Sequence, residues 1–138
     1  MREALRDLGI AHVFFGSVPN VRPLLEEADV LVVPSLRMEG LPMLLVEAGL
    51  AGAAVVASRT DGIPEIIDDG VHGLLVPPGD VEALASALVR MLQDAGLRAR
   101  LASKLRERVL AEFTVEEMTE RTLQVYGARR GGIASSLQ

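Results

Sequence analysis

Two glutamates, Glu39 and Glu47, stand with seven residues between them in the stretch Glu39-Gly40-Leu41-Pro42-Met43-Leu44-Leu45-Val46-Glu47. Glu47 is the only charged residue between Leu41 and Ala57. In an apolar helix a carboxylate either points out through a polar gap or meets a partner inside, because burying it unpaired costs several kcal/mol. One reading makes Glu47 a solvent-facing residue at a helix edge and Glu39 a loop residue near a helix N-terminus, favoured slightly by the helix dipole. The other puts both on the rim of a ligand site, at most roughly 12 Å apart along a helix axis. Carboxylates accept hydrogen bonds from paired hydroxyls, and the free N–H groups that open a helix donate to phosphate. A sugar joined to a nucleotide by a diphosphate has both features.

The elements that must hold these residues follow from pattern. Val30-Leu31-Val32-Val33-Pro34 reads as a buried strand, being β-branched, uninterrupted and ended by proline. A helix follows, with Pro42 at its first position and Gly49 and Gly52 towards its far end. Upstream, a charged opening helix stops at Gly9, residues 11–15 (Ala-His-Val-Phe-Phe) read as the first strand, and Gly16-Ser17-Val18-Pro19-Asn20 is a loop before a short helix at 22–28. Downstream, residues 53–57 form a third strand ending at Ser58, residues 59–65 a loop, Ile66-Ile67 a helical turn, Asp68-Asp69-Gly70 a turn, and Leu74-Leu75-Val76 a fourth strand. Asp80 caps a helix with Val81, Leu84, Leu88, Met91 and Leu92 in register. Leu97, Leu101, Leu105 and Val109 mark the next, whose opposite face carries Arg98, Arg100, Lys104, Arg106 and Arg108 and reads as a solvated surface. Thr114 and Glu117 make a capping box for a last helix with Val115, Met118, Thr122 and Val125 in register. Strands alternating with helices imply an α/β fold, an open parallel sheet flanked by helices, with ligands beyond the carboxyl ends of the strands. Loops 16–20, 35–42 and 59–65 then share one rim.

Composition sets the outer bounds. A chain of 138 residues is one domain, 49% hydrophobic yet only 3% aromatic, which suits α/β layers. With a net charge of −5, no Trp and one Tyr it lacks both a basic footprint and stacking platforms, so nucleic acid is not an expected partner. No cysteine is present, so disulfides and thiolate zinc sites are excluded and a reducing cytoplasm is the expected location. The apolar run from Leu41 contains Pro42, Glu47 and two glycines and falls short of a membrane span of about 20 residues. His12, beside apolar neighbours, and His72, in a turn, read as packing or exposed residues, not catalytic ones.

Pro34-Ser35, Glu39-Gly40-Leu41-Pro42, Val46-Glu47-Ala48, Val55-Val56-Ala57-Ser58, Gly62-Ile63-Pro64-Glu65 and the run Asp69-Gly70-Val71-His72-Gly73-Leu74-Leu75-Val76-Pro77-Pro78-Gly79-Asp80 together resemble the C-terminal, donor-binding domain of the retaining GT-B glycosyltransferases of the "group 1" family. The resemblance covers residues 11–126 and implies a Rossmann-like sheet, the C-terminal half of a GT-B fold with its first strand missing. It implies transfer of a sugar from a UDP-, GDP- or ADP-sugar to an acceptor hydroxyl with retention, without a metal or other cofactor. By that resemblance Glu39 is the catalytic glutamate against the donor sugar, and Glu47 accepts hydrogen bonds from the ribose hydroxyls. Gly40, Leu41, Pro42, Met43 and Leu44 match the turn that meets the sugar and diphosphate. Gly16, Ser17 and Val18 match the loop near the base, and residues 62–65 a loop that shapes the site.

Three residues, Leu36-Arg37-Met38, separate Ser35 from Glu39 where the family usually has two, Ala54 replaces a common proline, and Gly49 a common methionine. The family's N-terminal acceptor domain and the start of this domain have no counterpart here. Residues 1–126 are therefore expected to be part of a donor domain, inactive alone, and residues 127–138 a disordered tail. The parent enzyme is expected to be cytoplasmic, with peripheral membrane association left open and no transmembrane segment. The rival is a non-catalytic α/β nucleotide-binding or interaction module. A phosphorylase-like enzyme is a third reading, for which no lysine is placed to hold pyridoxal.

Overall fold

The computed structural model describes residues 2–36, 42–60 and 62–134, without the side chains of 2–4 and 128–134. Its order is α1 (Arg2–Asp7), α2 (Arg22–Glu27), β1 (Val30–Val33), α3 (Met43–Ala51), β2 (Ala54–Ser58), α4 (Ile63–Ile66), β3 (Leu74–Val76), α5 (Val81–Gln93), α6 (Ala95–Glu112) and α7 (Val115–Ala134). The strands pair in parallel in the order β1-β2-β3, with Val30 opposite Ala54 and Val56 opposite Leu74. All five residues of β2 are buried, as a central strand covered on both faces requires.

Alternate residues of β2 feed two cores. Val55 and Ala57 join Val33, Leu75, the inner residues of α3 and α4, and Leu105 and Val109 of α6. Ala54 and Val56 face the other way, with Leu74, Met91, and Leu97, Leu101 and Ala102 of α6. Thus α6 serves both layers, its N-terminal half on one and its C-terminal half on the other. It lies so close to α3 that a Cβ on Gly49 would sit 2.7 Å from Val109 Cγ2 and 3.2 Å from Leu105 Cγ. Side-chain-free backbone at position 49 is what lets the two helices touch. Gly52 ends α3 in the left-handed region at φ +80°, a conformation that favours glycine.

Four expectations need correction. Residues 11–15 form no strand, and Val13 and Phe15 are exposed. Strand composition is realised only where a ladder partner exists. Pro42 is the N-cap of α3, one place before the first helical position. On α5 and α7, Val81, Leu92, Val115, Met118 and Val125 are exposed despite their helical register. Finally, the cationic face of α6 is not merely solvated. Arg98 donates to Met91 O and Leu92 O, Arg106 to Leu50 O, and Arg108 to Glu65 O, each at the last turn of a different helix. Carbonyls there lack intrahelical partners and carry the negative end of the dipole, which draws cations.

Candidate functional site

The chain leaves β1 through Pro34 and Ser35, and Pro42 stands at the start of α3. Proline has no N–H, Leu45 N–H is taken by Pro42 O at 2.9 Å, and no side chain caps the helix. The N–H groups of Met43 and Leu44 therefore have no partner among the described residues. The other long helices are closed: Asp80 Oδ1 accepts from Ala83 N at 2.9 Å, Asp94 Oδ1 from Leu97 N at 2.8 Å, and Thr114 Oγ1 from Glu117 N at 3.2 Å. The open end of α3 is the one that offers donors and a positive dipole end to an anion.

One turn further on, Leu45, Val46, Ala48 and Gly49 are buried while Glu47 is exposed. Of the two fates open to a lone carboxylate in an apolar helix, it takes the outward one. Glu47 lines a groove of about 220 Å³ with Asn20, Val21, Arg22, Leu50 and Ala51. Arg22 is committed to Glu26, Nε to Oε1 at 2.7 Å, and its backbone N–H donates to Asn20 Oδ1 at 3.1 Å. That bond orients the Asn20 amide and leaves its NH2 as a donor for a ligand.

Glu39, Gly40 and Leu41 lie outside the described residues. Of the rest of the predicted set, Pro42 is the N-cap of α3 and Met43 and Leu44 begin the helix, with Met43 exposed and Leu44 half-buried. Gly16 (φ +69°) and Ser17 are exposed and Val18 is half-buried, but the groove beside Glu47 is lined by the end of their loop, not by them. Asn20 and Arg22 are thus residues that sequence reasoning passed over. The signal was present, since Asn20 stands two residues before α2 where an Asx turn begins. Met43 turns to a separate groove of about 330 Å³ with Val46, Phe113, Val115 and Met118.

On the loop after β2, Thr60 is buried and its hydroxyl has no partner among the described residues, while Arg59 pairs with Asp69 at 3.3 Å. His12 is exposed and bonds Ile10 O through Nδ1 at 2.7 Å. His72 sits apart from the α3 groove, and burial and Arg108 push its imidazole below the ordinary value. Among the described residues no group of His, Asp and Glu could hold a metal ion, and no helix is long and apolar enough to cross a membrane.

Residues 1–94 match the family model described as "Glycosyl transferases group 1". The chain is 39% identical over 106 residues to the amylovoran biosynthesis glycosyltransferase AmsK of Erwinia amylovora, covering 73% of this chain and 26% of that protein. It is 34% identical over 125 residues to the lipopolysaccharide core biosynthesis glycosyltransferase LpsE of Rhizobium meliloti, covering 89% and 36%. The chain therefore spans about a quarter to a third of the length of these curated relatives. Among solved structures, HepE of Anabaena in complex with UDP superposes with a TM-score of 0.85 at 25% identity, over 92% of this chain and 35% of that one. HepE with UDP-glucose gives 0.81 at 26% identity.

Proposed function

Because the chain belongs to the group 1 glycosyl transferases, we propose that it is the nucleotide-sugar-binding part of a retaining transferase. The observation that carries this reading is the uncapped N-terminus of α3 with the outward-facing Glu47 one turn behind it. The diphosphate sits at that N-terminus, where Met43 and Leu44 donate their N–H groups and the dipole favours its charge. Ribose lies along α3, its hydroxyls donating to the Glu47 carboxylate. The base occupies the groove towards Asn20 and loop 16–20. Complexes of HepE with UDP and with UDP-glucose support a donor of this chemical class.

In the reaction the bond from the anomeric carbon to the diphosphate breaks and a bond to the acceptor oxygen forms on the same face of the sugar. The acceptor hydroxyl passes its proton to the departing diphosphate, which keeps the bonding electrons. Charge grows on the diphosphate as it leaves, so fixed N–H donors at α3 act most strongly where the transition state needs them. Glu39 positions the sugar hydroxyls and stabilises charge at the reacting carbon. The scheme needs neither a metal nor an organic cofactor. The acceptor belongs to a further domain, so this chain by itself binds donor without transferring sugar, in the cytoplasm where such donors are made.

Calorimetric titration with UDP, GDP and ADP and the corresponding nucleotide sugars tests this. Saturable binding weakened by Glu47→Gln supports it, and binding indifferent to Glu47→Gln sinks it. A non-catalytic nucleotide module would take the bare nucleotide as tightly as the nucleotide sugar. Sugar transfer by the purified 138-residue chain would overturn the claim that it is inactive alone.

A further inference from the structure

His72 has no place in the donor site, yet its surroundings are built. It stands in the turn that carries the chain from α4 to β3, and its side chain is only 13% exposed. Nδ1 lies 3.2 Å from the backbone N of Asp68 and 3.2 Å from Arg108 Nη1. Neither a peptide N–H nor a guanidinium can accept a hydrogen bond, so Nδ1 is the acceptor and the ring is neutral with its proton on Nε2. The same guanidinium donates from Nη1 to Asp68 Oδ2 at 2.6 Å and from Nη2 to Glu65 O at 3.1 Å. One arginine on α6 thus joins the imidazole, a carboxylate of the turn and the last turn of α4. Arg108 Nε is buried and makes no hydrogen bond among the described residues, so the Nη atoms make this connection.

We propose that His72 is a proton-operated latch on the loop at the carboxyl end of β2: neutral, it seats Arg108 against α4, and protonated, it releases that end of α4. A proton on Nδ1 would oppose two donors and put a second positive charge beside the guanidinium. The charged groups around the ring divide. Arg108 and Lys104 disfavour protonation, whereas Asp68, 3.4 Å from Nδ1, and Glu112 favour it. Lys104 is paired with Glu107 at 2.6 Å and Glu112 lies 3.6 Å from Arg108 Nε, which tempers both. Desolvation is the largest influence and sides with the neutral ring. Release would travel a short way. Helix α4 opens at Ile63, whose N–H bonds Thr60 O at 2.9 Å, so the loop after β2 is tied to the latch through four residues of helix. The latch stands independently of the donor reading, because it concerns the loop's position whatever the loop binds.

The test is an NMR titration of the imidazole nitrogens and backbone amides of the 138-residue chain between about pH 5 and 8, alongside His72→Gln. The expected result is an Nε2–H tautomer for His72, a midpoint below the ordinary 6.5 or so, and amide shifts at Ile63, Glu65 and Ile66 that follow that midpoint. In His72→Gln those amide shifts with pH should vanish. An Nδ1–H tautomer, a midpoint at or above the ordinary value, or α4 amides that titrate unchanged in His72→Gln would each overturn the proposal. The tautomer is read from the unmodified protein, so a variant that fails to fold leaves the test intact.

Discussion

Helices α3 and α6 pack against each other through Gly49, yet they treat polar groups in opposite ways. Helix α3 carries one charged residue, Glu47, and both that carboxylate and the helix's first N–H groups are without partners among the described residues. Helix α6 carries five cations, and three of them end on carbonyls that close α5, α3 and α4. Charge density is therefore a poor guide to where a ligand binds. What distinguishes a site is polar capacity that folding leaves both unsatisfied and exposed, as at the start of α3. Helix α6 is instead the brace that holds the other helices in place.

If α6 is a brace and α3 a binding surface, changes should separate cleanly between stability and affinity. Leu105→Ala, in the α6 face against α3, should cost about 2–5 kcal/mol of stability by thermal or urea unfolding. A loss under 1 kcal/mol would mean that α6 does not carry the core. Glu47→Gln should leave stability within about 0.5 kcal/mol but weaken nucleotide-sugar binding by about 1.5–3 kcal/mol, the worth of a hydrogen bond to a charged group. If calorimetry instead finds affinity retained and stability lost, the comparison fails on its α3 side. Gly49→Val should destabilise by about 1–3 kcal/mol through overpacking against Val109. A crystal structure should then show α3 and α6 moved apart.

Two smaller effects sharpen the contrast. Asp94→Ala removes the cap of α6 and should cost about 1 kcal/mol in chemical unfolding, with no change in ligand affinity. For pH, the folded protein holds the His72 imidazole below its ordinary value, so it binds fewer protons there than the unfolded chain. That contribution to stability is present above about pH 6.5 and is lost as pH falls towards the folded-state value. His72→Gln should flatten the acid side of a melting-temperature profile, and an unchanged profile would assign the acid sensitivity to other groups.

Much of the architecture was legible in the chain. The strand at 74–76 was found with its observed bounds and β2 to within a residue, because strands covered on both faces read as unbroken apolar runs. Asp80 and Thr114 were identified as caps because a capping side chain acts on amides two or three residues away. The capping box was only half right, since Glu117 turns to Arg121 at 2.7 Å. Residues 11–15 misled because strand composition reflects packing context as much as any backbone preference. The arginine face misled because its acceptors lie far off in sequence: Leu50 is 56 residues from Arg106, and Glu65 is 43 from Arg108. In the candidate site, spacing exposed Glu47 and Pro42 as unusual, but the company of Asn20 and Arg22 became visible only when the end of loop 16–20 was found beside α3.

By itself, then, the amino-acid sequence determined the α/β alternation, the helix starts at 81 and 115, the apolar strands and the family, all properties carried by neighbours along the chain. Tertiary structure alone decided that Glu47 faces outward, that Gly49 lets α3 and α6 touch, that three arginines close three helices, and that His72 accepts from Arg108. The physical reason is one of range. Propensity and capping act over a few residues, whereas whether a donor or acceptor finds a partner depends on which distant segment packing brings within hydrogen-bond distance.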